Sequence, residues 1–276
     1  MQLVKTHHSV CNAVMLFGEL HRLKSPAKRV LMFPRAWAFE KKAGKGDVFD
    51  PYMDTSRRLL RMAARRYKVE LRPIGPIVDG ANEEAESSYS VASIYSLLSY
   101  DRVLLLSTPG TILDATPLDS VLAYAPGASL ALLQKDERSG VNETDLVLAM
   151  PETEAYTALM DARSSLMSQD TLMQTSLPDT LVLDSSTDGT KLVSSISALH
   201  DVSADFNMTA YLSSAAYIRF SDPKLPGPEY EVPYADVVRA RPKNKDADWV
   251  WTKLYGNFAQ DRMDICGLDL EPWHTY

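Results

Sequence analysis

Between residues 2 and 106 the chain alternates short apolar runs with segments whose apolar residues recur at helical spacing. Residues 2–6 (QLVKT), 29–34 (RVLMFP), 69–74 (VELRPI) and 102–106 (RVLLL) read as strands. Residues 10–23 put Val10, Val14, Phe17, Leu20 and Leu23 at helical spacing, and Ser25 and Pro26 stop that helix. Asp54 and Thr55 can cap a second helix running to Tyr67, with Leu59, Leu60, Met62 and Ala63 inward. Residues 88–99 (SYSVASIYSLLS) read as a third helix. Such alternation means βαβ units, hence an α/β fold with a mainly parallel central sheet. In these sheets ligands sit beyond the carboxyl ends of the strands. The segment after Leu106 is therefore the first place to look for chemistry.

Further strands are expected at 129–133, 145–150, 180–183 and 217–220, with a helix at 152–167 opened by Pro151. A last helix at 247–262 has Trp249, Val250, Trp251, Leu254, Tyr255 and Phe258 as its apolar side. A loop carrying Lys41, Lys42, Gly44, Lys45 and Gly46 follows the second strand. The arginines of the second helix, Arg57, Arg58, Arg61, Arg65 and Arg66, read as a solvated face rather than an anion site. No repeat or composition shift divides the chain, so a single domain over residues 1–276 is expected.

Lys plus Arg is 29 against 36 for Asp plus Glu, a net charge of −7, which argues against a nucleic-acid binder with a basic face. No apolar run approaches the length of a membrane span, and the first residues have no signal-peptide core. A cytoplasmic location is expected. The two cysteines, Cys11 and Cys266, cannot build a disulfide framework, and one bridge between them is the single pairing open. On that expectation the sequons at Asn142 and Asn207 are chance matches.

Dinucleotide and phosphate-loop glycine motifs, His-Glu-x-x-His, Cys-x-x-Cys and the Gly-x-Ser-x-Gly elbow are all missing. Of the five histidines, only His7 and His8 stand at a strand end where a site could form. The run from Asp184 to Asp188 reads as a turn rather than a metal loop.

Several segments in order resemble one family. They are Cys11-Asn12-Ala13-Val14-Met15-Leu16-Phe17 through Leu23, residues 29–34, residues 60–67, and Tyr100-Asp101-Arg102-Val103-Leu104. The series resumes at 146–152, at Ile218-Arg219-Phe220-Ser221-Asp222 with Leu225-Pro226, and at 251–267. Together they resemble the glycogenin-like (family 8) glycosyltransferases, fungal members in particular. The resemblance implies a GT-A fold, with a nucleotide-binding-type half at 1–110 and an acceptor-type half at 111–276.

The departures bear on chemistry. Where the family has Leu-Asp-x-Asp-Gly, whose aspartates hold a divalent metal, this chain has Leu106-Ser107-Thr108-Pro109-Gly110. The family's later metal ligand, a histidine, is Arg219 here, and the lysine of its Leu-Pro-Lys-Pro turn is Gly227. The donor-facing Thr-Lys pair is Ser90-Val91, and an acidic donor contact aligns with Thr171. Serine is a poor substitute for a carboxylate toward a hard cation, and proline offers no ligand at all. No metal site and no cofactor are expected. Arg219 can stand in for a cation toward phosphate.

Two catalytic readings and one binding reading follow. In the first, the scaffold is repurposed as a metal-independent catalyst of cyclisation, isomerisation, dehydration or a pericyclic step on a small, fairly apolar molecule. The fungal flavour of the resemblance suggests secondary metabolism. In the second, it remains a glycosyltransferase that uses a nucleotide sugar without metal. In the third, it is a non-catalytic partner subunit. The catalytic candidates are His7, His8 and Arg219, and the ligand-binding candidates are Asn12, Ser90, Val91, Ser107, Thr108, Pro109 and Asp222. The expected partner is a small-molecule substrate, with no nucleic acid and no membrane.

Overall fold

The computed structural model describes residues 1–39, 51–76, 88–136, 140–162, 177, 179–187, 189–222 and 233–267. Lys41, Lys42, Gly44, Lys45, Gly46, residues 163–167 of the expected helix, Thr171, Asp188 and the turn containing Leu225, Pro226 and Gly227 lie outside them.

Strands β1 (Gln2–Leu3), β2 (Arg29–Pro34) and β3 (Val69–Ile74) form a parallel sheet in that order, with Gln2 opposite Leu31 and Leu31 opposite Leu71. The connections are α1 (His7–Arg22) and α2 (Pro51–Tyr67). Helix α1 starts three residues before its apolar period because Thr6 caps it. The Thr6 hydroxyl accepts from the Ser9 N–H, and the Ser9 hydroxyl accepts from the Thr6 N–H, both at 3.3 Å. The helix buries Val10, Cys11 and every residue from Ala13 through Phe17, because α2 and the last helix both pack against it. On α2, Arg58, Arg61, Arg65 and Arg66 are exposed, as a solvated face requires.

Strand β4 (Val103–Leu106) lies beside β1. The Met1 amine donates to the Leu104 carbonyl at 2.7 Å and the Gln2 side chain to the Leu106 carbonyl at 2.9 Å. From there pairing becomes mixed. A second sheet runs β4, β7 (Leu146–Ala149), β6 (Leu130–Leu133), β8 (Thr180–Leu183), with only β6 and β8 parallel. A third runs β5 (Gly110–Ile112), β11 (Ala215–Arg219), β10 (Thr190–Ser195), β9 (Ser186–Thr187), with only β10 and β11 parallel. The α/β class stands, and its wholly parallel part is the first sheet.

Residues 88–99 do not make an α-helix. The stretch holds a 3-10 turn at Val91–Ser96, since the Ser90 hydroxyl accepts from the Ala92 N–H and the Ser96 hydroxyl donates to the Ser93 carbonyl. Serine hydroxyls compete here with the helical backbone ladder. The remaining described helices are α3 (Thr116–Tyr124), α4 (Thr153–Ala162), α5 (Met208–Ser213), α6 (Tyr234–Ala240) and α7 (Lys245–Cys266). Helix α7 outruns its expected bounds because Asn244 caps it and Gly267, at φ +73°, ends it. Trp251 is buried on α7, whereas Trp249 is half exposed with the Lys253 ammonium over its ring. A disulfide joins Cys11 on α1 to Cys266 at the end of α7, with both residues fully buried.

Candidate functional site

The carboxyl ends of β1 and β2 share one edge, since the strands run parallel, and the Gln2 side chain reaches from β1 to the Leu106 carbonyl at the end of β4. Where β1 turns into α1, the His7 ring stacks on Trp37, with centroids 4.4 Å apart and planes 18° off parallel, and its Nδ1 lies 2.8 Å from the Ser56 hydroxyl. Trp37 belongs to a 3-10 turn, Arg35–Ala38, that leaves β2. Arg57 holds that turn by donating to the Trp37 carbonyl at 3.0 Å. His8 is more exposed and meets the edge of Tyr52 at 5.7 Å.

The second group forms where β4 ends. Strand β11 pairs antiparallel with β5, so Arg219 stands opposite Gly110, and the Phe220 N–H donates to the Pro109 carbonyl at 2.9 Å. Gly110 is required for this approach. A Cβ there would fall 2.1 Å from the Tyr217 hydroxyl oxygen and 2.6 Å from the Ile218 carbonyl. The Tyr217 hydroxyl donates to the Ser107 carbonyl. Burial first, then the Glu19 and Asp145 carboxylates, push the Tyr217 phenol far above its usual range.

Asp145, with its side chain 2% exposed, ties the group together. It accepts from the Ser107 hydroxyl at 3.1 Å and from the Asn142 N–H at 2.8 Å. The Arg219 Nε lies 3.1 Å from Asp145 Oδ2, at ion-pair distance but off hydrogen-bond alignment. Arg219 Nη2 donates to the carbonyl of Gly140, itself at φ +70°. Both Asp145 oxygens are engaged and a guanidinium stands against one of them. A divalent metal does not fit this donor set, because it would have to displace Arg219 and take Ser107 as a ligand. Among the described residues no three His, Cys, Asp or Glu side chains converge as a metal site would need.

Glu19, on the last turns of α1, belongs to no sequence motif. It accepts from the Thr111 hydroxyl at 2.5 Å and from the Ile112 N–H at 2.7 Å, anchoring β5 just after the Ser107 loop. Burial, against those two hydrogen bonds, pushes its carboxyl up from 4.5 to about 7. The unfolded chain therefore ionises Glu19 at a pH where the fold still holds the proton. The resulting stability is complete below pH 4.5 and lost as pH rises through about 7. Between pH 5 and pH 8 the unfolding free energy of wild type should fall by roughly 2.5 kcal/mol more than that of Glu19→Gln. Equal pH dependence in the two proteins would refute this role.

Of the other candidates, Thr108 and Pro109 adjoin this group and the rest fall elsewhere. Ser90 is 1% exposed and caps the 3-10 turn, and Val91 packs beside the cluster around Ile94 and Tyr95. Asn12 is half buried, with its Oδ1 enclosed and without a hydrogen-bond partner among the described residues. Thr108 and Pro109, joined by a cis peptide bond, are half exposed beside Ser107. Asp222 faces inward. Its side chain is fully enclosed, with Oδ2 2.6 Å from His200 Nε2 and accepting from the Trp251 indole at 2.8 Å. It locks β11 to α7 and presents no carboxylate to a cleft.

No protein-family model matches the chain. Two solved structures of LgtC align with it at a TM-score of 0.47. One is an active-site mutant, 9% identical, covering 92% of this chain and 94% of that one. The other is galactosyltransferase LgtC with donor and acceptor sugar analogues, 8% identical, covering 99% and 96%. A protein of Aspergillus fumigatus named glucose N-acetyltransferase 1 is 33% identical over 45% of this chain and 30% of its own length. The protein of that name from Gibberella zeae is 25% identical, and the match takes in 62% of its length. The chain is thus similar, over 96% of its residues, to a fungal protein named glucose N-acetyltransferase 1.

Proposed function

We propose that this chain is a glycosyltransferase-type protein of GT-A fold, related to family 8, that binds a nucleotide sugar at the carboxyl edge of β1 and β4 without a divalent metal. The observation that carries the reading is that Ser107 and Arg219, two of the positions to which the resemblance assigns metal ligands, both meet the buried carboxylate of Asp145. The similarity to the two glucose N-acetyltransferases supports transfer chemistry on a sugar. Arg219 Nη1 makes no bond among the described residues and is a donor open to an anion. A departing nucleoside diphosphate gains negative charge, and a fixed guanidinium opposes that build-up in place of a metal. His7 or His8 is the general acid-base candidate.

A second reading, a repurposed catalyst acting on a small apolar molecule, draws support from the charge balance. Asp145 already neutralises Arg219, so the pair can also stand beside an uncharged ligand. Calorimetric titration with UDP and UDP-sugars, with Mn²⁺ and with EDTA, separates the two. Equal micromolar binding under both conditions, weakened about tenfold or more by Arg219→Ala, is the expected result. No binding under either condition sinks the nucleotide-sugar reading and turns the search to apolar ligands.

A further inference from the structure

We propose that Asn207 carries an N-linked glycan and that the chain matures in the oxidising lumen of the secretory pathway. The first support is the Cys11–Cys266 disulfide, which pairs the chain's two cysteines across a sequence separation of 255. Both residues are fully buried and their Cα atoms are 5.9 Å apart, well within bridging range. Such bonds form and persist in oxidising compartments and are rare in a reducing cytosol. On this proposal the sequons cease to be chance matches.

The second support is the sequon itself. Asn207-Met208-Thr209 fits the acceptor pattern, with no proline at the middle position. Asn207 and Thr209 are both exposed, as are Ser203, Ala204 and Asp205 just before them. Asn207 Oδ1 accepts from the Ala210 N–H at 2.9 Å, and its Nδ2 has no partner among the described residues. Nδ2 is the atom the modification uses. It bonds to C1 of an oligosaccharide carried on a lipid diphosphate. The C1–O bond to the diphosphate breaks, the lipid diphosphate leaves with the electron pair, and Nδ2 gives up one proton. Asn142, the other sequon, is less suited because its backbone N–H is tied to Asp145 within the candidate site. Asn207 precedes the amino end of β11, whereas Arg219 ends that strand, so a glycan leaves the site open.

The test takes the full-length protein from its own cells, with thiols alkylated at lysis. Peptide N-glycosidase treatment in heavy-oxygen water then converts a glycosylated Asn to labelled Asp. The expected peptide map shows a labelled Asp at position 207 and an unalkylated, linked Cys11–Cys266 pair. Thr209→Ala should lose the glycosidase-sensitive gel shift, and Thr209→Ser should keep it. An unlabelled Asn207, label at Asn142 alone, alkylated Cys11 and Cys266, or a shift left undiminished by Thr209→Ala would each overturn the proposal.

Discussion

Arg219→Ala should destabilise the fold by roughly 3 kcal/mol, the cost of leaving a buried carboxylate without its cation. Asp145 would keep the Ser107 hydroxyl and the Asn142 N–H but would lose the Arg219 counter-charge. The reverse change, Asp145→Ala, should cost less, about 2 kcal/mol. The Arg219 side chain is 16% exposed and can turn its freed groups to water, whereas Asp145 at 2% cannot. If the two act as a pair, the double variant falls well short of the sum of the singles. Urea unfolding of the four proteins measures that coupling. Additivity within about 0.5 kcal/mol would mean that they are independent, and that Arg219 is no built substitute for a metal. The same variants separate fold from function. A variant that keeps most of its stability yet loses nucleotide binding places the loss at the site itself.

How much of this was legible beforehand depended on whether the signal was local. Strands β2, β3 and β8 fall at the residues expected, because each is a compact run bounded by turn residues. Strand β5 was missed. Its three residues, Gly-Thr-Ile, have no periodicity, and they are a strand only because β11 pairs with them. Strand β10 (TKLVSS) was missed because its polar ends hid a buried centre and two buried serines. The site divided in the same way. Ser107 and Arg219 stood out as departures from a family pattern. Asp145 had no motif of its own, since its meaning comes from partners at distant points in the chain. Glu19 looked like a polar residue on a helix, and only the folded chain lays β5 across it. Asp222 erred in the other direction. The matched segment suggested a cleft residue, but Trp251 and His200 draw its carboxylate into the core.

Removing the disulfide should have the largest effect of all. In the chain-entropy account, a cross-link stabilises by shrinking the unfolded ensemble, more so for a longer loop. The Cys11–Cys266 link spans a separation of 255 residues, so losing it should cost about 5 kcal/mol. For a chain of this size that is a fall in Tm of roughly 10 °C or more. Cys11→Ala with Cys266→Ala is the right variant, because a serine pair would leave two buried hydroxyls. Some docking of the α7 end should survive, since Arg58 donates to the Cys266 carbonyl at 2.7 Å. Loosening should therefore begin in the last turn of α7 and pass to α1. Helix α1 carries His7 at one end and Glu19, the anchor of β5, at the other. Scanning calorimetry of wild type, reduced wild type and the double variant tests this. The reduced protein and the double variant should melt together, well below the oxidised protein. If all three melt within about 2 °C of one another, the bridge does not hold the fold together. The helix contacts across α1 and α7 would then bear the stability alone.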